Sequence, residues 1–162
     1  MKRLTNAAVL MIAVLFVTPL FAQNAPTDKP ADNMQILRDK FKADKKLVVA
    51  VNMDLTESEA KGFWPVYDAF QNDLEVLNKR AGVMINAYAD AWNTKSMDNK
   101  KAKKLTSDWL AIQSDEVKLM QSYVPKLNKV LPATKVARYL QIENKIRTIV
   151  KYEAADAIPL VP

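Results

Sequence analysis

One run of the chain restricts its fold more than any other. Phe63, Tyr67, Phe70, Leu74, Leu77, Ala81, Met84 and Tyr88 follow one another at intervals of four and three residues without a break. That spacing repeats on one face of an α-helix and on no other regular structure, so it predicts a helical apolar seam more than 25 residues long. Pro65 falls inside the pattern but near its start, where a proline is tolerated. Gly82 costs about 1 kcal/mol of helix propensity relative to alanine, less than so regular a seam gains by packing.

The seam has a clear beginning. In Leu55-Thr56-Glu57-Ser58-Glu59, Thr56 can accept from the unpaired amides of the first turn, and Glu59 can reach back to the amide of Thr56. This is a capping box, and its acidic residues suit the positive end of the helix dipole. Asn93-Thr94-Lys95-Ser96 and Asp98 read as a turn and a new cap. The next helix carries Leu105, Trp109, Ile112, Leu119, Tyr123 and Val130. The same spacing puts Glu116 and Lys126 on that seam, with Val117 and Leu127 beside them, and Pro125 is expected to bend the helix or end it early. A further helix follows Leu131-Pro132 and runs to about Ala157, with Val136, Tyr139, Leu140, Ile142, Ile146, Ile149 and Val150; its first turn tolerates a proline. The tail Ile158-Pro159-Leu160-Val161-Pro162 is apolar and expected to be extended.

Upstream, a helix is expected from Asp32, with Met34, Leu37, Phe41, Val48 and Val51 on one stripe that Asp44 interrupts. Leu47-Val48-Val49-Ala50-Val51 also suits a short strand, but no partner strand is visible, which favours helix. Two long seams joined by a short polar turn make an antiparallel hairpin against which the outer helices pack. The fold expected is all-α, an elongated bundle of about four helices built on that hairpin. With only two glycines and no hairpin-turn dipeptides, the composition agrees.

Residues 1–22 stand apart from this pattern. Lys2 and Arg3 precede an apolar run from Ala7 to Phe21, which closes on Ala22. This is the layout of a cleaved secretory signal. The alternative is an uncleaved anchor, but the run of 15 residues is shorter than the roughly 20 that span a bilayer. Cleavage is expected after Ala22 rather than Ala25, which Pro26 follows. Residues 23–31, with two prolines and no apolar period, read as a flexible leader, and 32–162 as one helical domain. Loss of Lys2 and Arg3 leaves 22 basic against 18 acidic residues, a charge of +4. No later stretch is long and apolar enough to span a membrane. Cysteine is absent, as is common in the bacterial periplasm, the compartment expected here.

Histidine is absent too. Together these absences remove the commonest general base, the commonest nucleophile pairs and the usual transition-metal ligands, while two glycines leave no phosphate-cradling loop. A hydrolase using two carboxylates is the enzyme class left, but the acids fall at solvent-type helix positions. The expectation is a binding protein without a cofactor or metal, not an enzyme.

Lys100, Lys101, Lys103 and Lys104 form the densest basic run, placed at a helix start, where the dipole disfavours cations. They can attract acidic proteins or lipid headgroups; export removes nucleic acid as a partner. Trp64 and Trp92 are aromatic residues that could join them in holding unfolded chains, although packing within the bundle explains both more simply. Trp109, on the seam, reads as core, and the five methionines after the signal read as packing.

With these elements placed, the chain resembles the small periplasmic helical proteins of the Spy and CpxP type, marked by two L-T-x-x-Q motifs that open helices. Leu55, Thr56 and Glu59 match the first copy, with Glu in place of Gln. In the second, Leu131-Pro132-Ala133-Thr134-Lys135, only Leu131 is kept, and Pro and Lys replace Thr and Gln. The resemblance implies a curved helical homodimer whose concave face holds unfolded proteins without ATP, or one that restrains an envelope-stress sensor. The zinc bound by some relatives is not implied, since its histidines are missing. A second reading is a structural or regulatory partner of one defined envelope protein, docked through the seam or the apolar tail.

Overall fold

The computed structural model describes residues 43–161, and all of its regular structure is helical. Helix α1 occupies 43–53, α2 is Glu57–Asn93, α3 is Asn99–Asn128 and α4 is Ala133–Ala157. The signal at 1–22, the leader at 23–31, the cap at Asp32 and the stripe residues Met34, Leu37 and Phe41 lie outside the described residues.

Local chemistry sets the helix ends. Thr56 Oγ1 accepts from the Glu59 amide at 3.3 Å, and the Thr56 amide donates to Glu59 Oε2 at 2.8 Å, completing the capping box. Helix α2 stops where Lys95 takes a left-handed φ of 53° and the Ser96 amide turns back to the Ala91 carbonyl at 2.9 Å. Asp98 caps α3 by accepting from the Lys101 amide at 2.7 Å. Neither proline breaks its helix. Pro125, expected to bend or shorten α3, is followed by three more helical residues. The carbonyls that Pro65 and Pro125 leave without an amide belong to Lys61 and Gln121, both exposed, so water can satisfy them.

Helices α2 and α3 pack antiparallel. Tyr123 Oη donates to Asp73 Oδ2 at 2.6 Å, Arg80 Nη1 bonds Asp115 Oδ2 at 2.7 Å, and Gly62 lies against the Val130 side chain. Residues later in α2 thus meet residues earlier in α3. Around the base of this hairpin, away from the α2–α3 turn, α1 and α4 close one core. Val49, Met53, Phe63, Tyr67, Phe70, Leu74, Tyr123, Leu127, Leu131, Val136 and Tyr139 are all buried there. Its rings meet edge to face, Phe63 with Tyr139 at 5.1 Å and Phe70 with Tyr123 at 5.2 Å, an arrangement that gains beyond area burial.

The helix across Leu47–Val51 excludes the strand alternative, but its buried face is not the expected one. Val48 and Val51 are exposed, while Val49 and Met53 are fully buried. The inward row is Lys45, Val49, Met53; a stripe drawn through apolar residues alone passes over Lys45 and slides round the helix. Trp109 is also not core, being 51% exposed. It lies on the α3 seam, but cover thins toward the turn, and Ile112 is the buried α3 side chain nearest to it. Lys126 leaves the seam in favour of Leu127 and sets its Nζ 3.8 Å from the centre of the Tyr123 ring. Ile149 of the α4 stripe is likewise exposed.

Candidate binding groove

Toward the turn, α2 and α3 separate enough to leave an open groove of about 790 Å³ between them. Val76, Val83 and Met84 of α2 and Leu105 and Ile112 of α3 supply its apolar lining. Val76, Arg80, Val83, Ala87, Asp90 and Thr94 of the lining follow one another in four- and three-residue steps, the same helical period that builds the core, here at the edge of the packed faces. Val76 and Val83, two helical turns apart, are 58% and 70% exposed and share one apolar strip open to solvent.

Cations dominate the rim. Lys79, Arg80, Lys101 and Lys104 line the groove, against Asp90 and Asp108. Local bonds hold several of them in place. Lys101 Nζ donates to the Ser96 carbonyl and hydroxyl, both at 2.8 Å, and Lys104 pairs with Asp108 one turn on. Arg80 holds the Asp115 carboxyl below its usual range by donating to it. The result is an apolar floor edged by positive charge, which can accept apolar side chains while attracting acidic ones.

The residues singled out in the sequence fall into three places. Lys101 and Lys104 line the groove, whereas Lys100 and Lys103 are exposed on the same first turns of α3 and do not line it. Trp92 is half-buried near the turn and stacks on Tyr88 at 6.3 Å. Trp64 sits at the far end of the hairpin, packed edge-on against Phe63 and Tyr67 with Lys46 Nζ 5.1 Å from its ring centre. Trp64 therefore lies at the opposite end of the hairpin from the lysine run, whereas Trp92 lies at the same end.

The two motif-like segments do meet. Leu55 packs against the base core, and Leu131 is buried in it. Lys135 Nζ donates to Glu59 Oε2 at 2.5 Å and to the Asp54 carbonyl at 2.7 Å, where Asp54 takes a left-handed φ of 47°. The two places where this chain departs from Gln thus carry opposite charges and bond to each other. That bond, with the Thr56 amide, lowers the Glu59 pKa.

Sequence reasoning missed the buried Glu143 and its cation Lys45. Glu143 is fully buried and bonds Lys45 Nζ at 2.5 Å; Lys45 also donates to Gln71 Oε1 at 2.8 Å. Gln71 Nε2 in turn donates to Glu143 Oε2 and the Tyr139 hydroxyl. Burial lowers the Lys45 pKa, and Glu143 opposes that. A second buried acid, Glu116, is paired with Arg147 and with Lys151 at 2.7 Å. Glu143, expected at a solvent position, is thus internal, and Glu116 is buried as its place on the seam implied; each is satisfied by cations from other helices. A signal was present: Val136, Tyr139, Glu143, Ile146 and Val150 keep the three-and-four spacing, which puts Glu143 in the middle of the buried row.

Among the described residues, no group of three or more acidic side chains is placed to hold a metal ion, and no helix is long and apolar enough to cross a membrane. Compared with protein-family models, curated proteins and solved structures, the chain matches none of them.

Proposed function

We propose that this protein is exported to the periplasm and there holds unfolded or partly folded envelope proteins without ATP, in the manner of the Spy and CpxP type. The observation that carries this reading is the α2–α3 groove, where exposed valines lie among lysines and an arginine at the open end of a hairpin whose base is closely packed. A surface of that kind binds many chains weakly: the apolar floor takes whatever side chains are presented, and the rim draws in acidic segments through a field that salt screens. The bonded pair of Glu59 and Lys135 supports the likeness to the two-motif proteins, because it joins the two motif-like helix starts across the base of the hairpin.

Suppression of aggregation tests this directly. Residues 23–162 are mixed without ATP with several chemically denatured, unrelated proteins, and light scatter is followed at low and high salt. Near-equimolar suppression that fades with salt is expected, as is its loss in Val76→Asp/Val83→Asp, whose sites are exposed enough to leave folding intact. Failure to suppress any of the clients would remove the reading. Capture of one envelope protein would then favour the role of a dedicated partner.

A further inference from the structure

One flank of α3 faces away from both of its neighbours. Contacts with α2 run through Tyr123 and Asp115, which bond Asp73 and Arg80, and those with α4 through Gln113 and Glu116, which bond Lys151. Ile112 belongs to the buried row between them. At about 3.6 residues per turn, Lys103, Leu110 and Val117 fall in one line, about 140–180° round the helix from Ile112, with Lys100 close beside it. The α2–α3 groove lies on another side, where α3 presents Lys101, Lys104, Leu105 and Asp108 and none of these four.

Apolar and basic side chains share the outer flank, and the acids of α3 do not. Trp109, at the edge of the line, is 51% exposed, and Leu110 and Val117 are 54% and 49% exposed. Asp108 pairs with Lys104 at the groove and Asp115 with Arg80, while Glu116 is buried against Arg147 and Lys151. Lys100 and Lys103 are exposed and bond to no acid among the described residues. Lys118, on the same flank, is held only loosely, 3.6 Å from Asp115. The first turn of α3 holds no acid, so beyond the Asp98 cap the positive end of the dipole adds to the field of the lysines.

This chemistry fits a lipid surface better than a protein. A folded partner gains most of its affinity from anchors that enter hollows, and a convex line on a single helix offers none. A bilayer is fluid. It closes round leucine, valine and tryptophan at the depth of its headgroups, while lysines beside them meet its phosphates. We infer that α3 lies along the surface of an anionic bilayer, with Trp109, Leu110 and Val117 among the headgroups and Lys100, Lys103 and Lys118 against lipid phosphates. The groove opens on a different side of α3, so this docking goes beyond the holding activity and stands whether or not that activity is found.

Flotation of residues 23–162 with vesicles tests it. Phosphatidylglycerol mixed equally with phosphatidylcholine should carry the protein up the gradient, and phosphatidylcholine alone should not. High salt should release it. Lys100→Gln/Lys103→Gln and Leu110→Gln/Val117→Gln should each weaken partition at least about tenfold. All four positions are exposed, and circular dichroism checks that each variant is folded. Val83→Asp, which alters the groove, should float as the unaltered protein does, whatever it does to light scatter. Failure to float with the anionic vesicles, equal flotation with the neutral ones, partition indifferent to both α3 changes, or its loss in Val83→Asp overturns the inference. Binding to polyglutamate but to no vesicle would overturn it too, and would assign the flank to acidic protein segments.

Discussion

Among single residues, Glu143 and Lys45 carry the largest energetic stake. Their side chains are 0% and 8% exposed, and each is the main counter-charge of the other. Removing one charge of such a pair costs more than removing both, because the survivor stays buried without compensation. Glu143→Gln is therefore expected to lower stability by about 3–5 kcal/mol in urea unfolding, and Lys45→Met/Glu143→Leu to recover most of that loss. The tyrosines make a second prediction. Burial raises the pKa of Tyr67, Tyr123 and Tyr139 above the ordinary 10.0, Tyr123 to about 12 with help from its bond to Asp73. Each folded phenol holds its proton more tightly than the unfolded one. Their contribution is complete below pH 10 and is lost as pH rises toward 12 and beyond. Tyrosinate absorbance should consequently lag that of free tyrosine above pH 10 and then rise together with the loss of helical circular dichroism. A smooth titration at the free-tyrosine pKa, with the helices intact, would contradict this.

At the level of elements, the two glycines of α2 separate propensity from packing. A Cβ added at Gly82 meets nothing within 4 Å, so Gly82→Ala should raise stability by about 1 kcal/mol through helix propensity alone. A Cβ at Gly62 would stand 3.0 Å from both Cβ and Cγ1 of Val130, close to the Val130 backbone, where a side chain cannot swing aside. Gly62→Ala is therefore expected to destabilise, overpacking of about 1–3 kcal/mol exceeding the propensity gain. Thermal melts of the two single variants, shifting in opposite directions, check the pair. The contrast also shows why α2 and α3 run so close at the base and open toward the turn, where the groove lies.

For the molecule as a whole, the buried core is concentrated at one end. The aromatic cluster closes the base of the hairpin, whereas the outer half keeps only scattered buried side chains such as Ala89, Ala91 and Ile112. Local opening follows the density of apolar contact, so the outer half should open without the base. Native-state hydrogen exchange is expected to find amides between Val83 and Leu110 opening at least about tenfold more readily than those around Phe70 and Tyr123. Equal protection at both ends would mean that the hairpin unfolds as one unit. A groove at the less protected end also has room to adapt to what it holds.

The sequence by itself determined the helices, their caps and the main row of core residues. These depend on relations within one or two turns: the four-three seam of α2, the Thr56–Glu59 box and the Asp98 cap are all local. It also marked Leu55, Thr56, Glu59, Leu131 and the lysine run as places to watch, and carried the Glu143 signal within a row read only for apolar residues. Tertiary structure alone decided which partner each face meets. Val49 rather than Val48 turns inward because Lys45, one turn back, finds Glu143 ninety-eight residues away. Trp109 stays exposed because cover ends below it, and Lys101 and Lys104 become the wall of a groove because the antiparallel α2 brings its last turns, with Ala87, Asp90, Ala91 and Thr94, alongside them. Periodicity states that a face is to be covered; which helix covers it, and how far along, depends on contacts between residues distant in the chain.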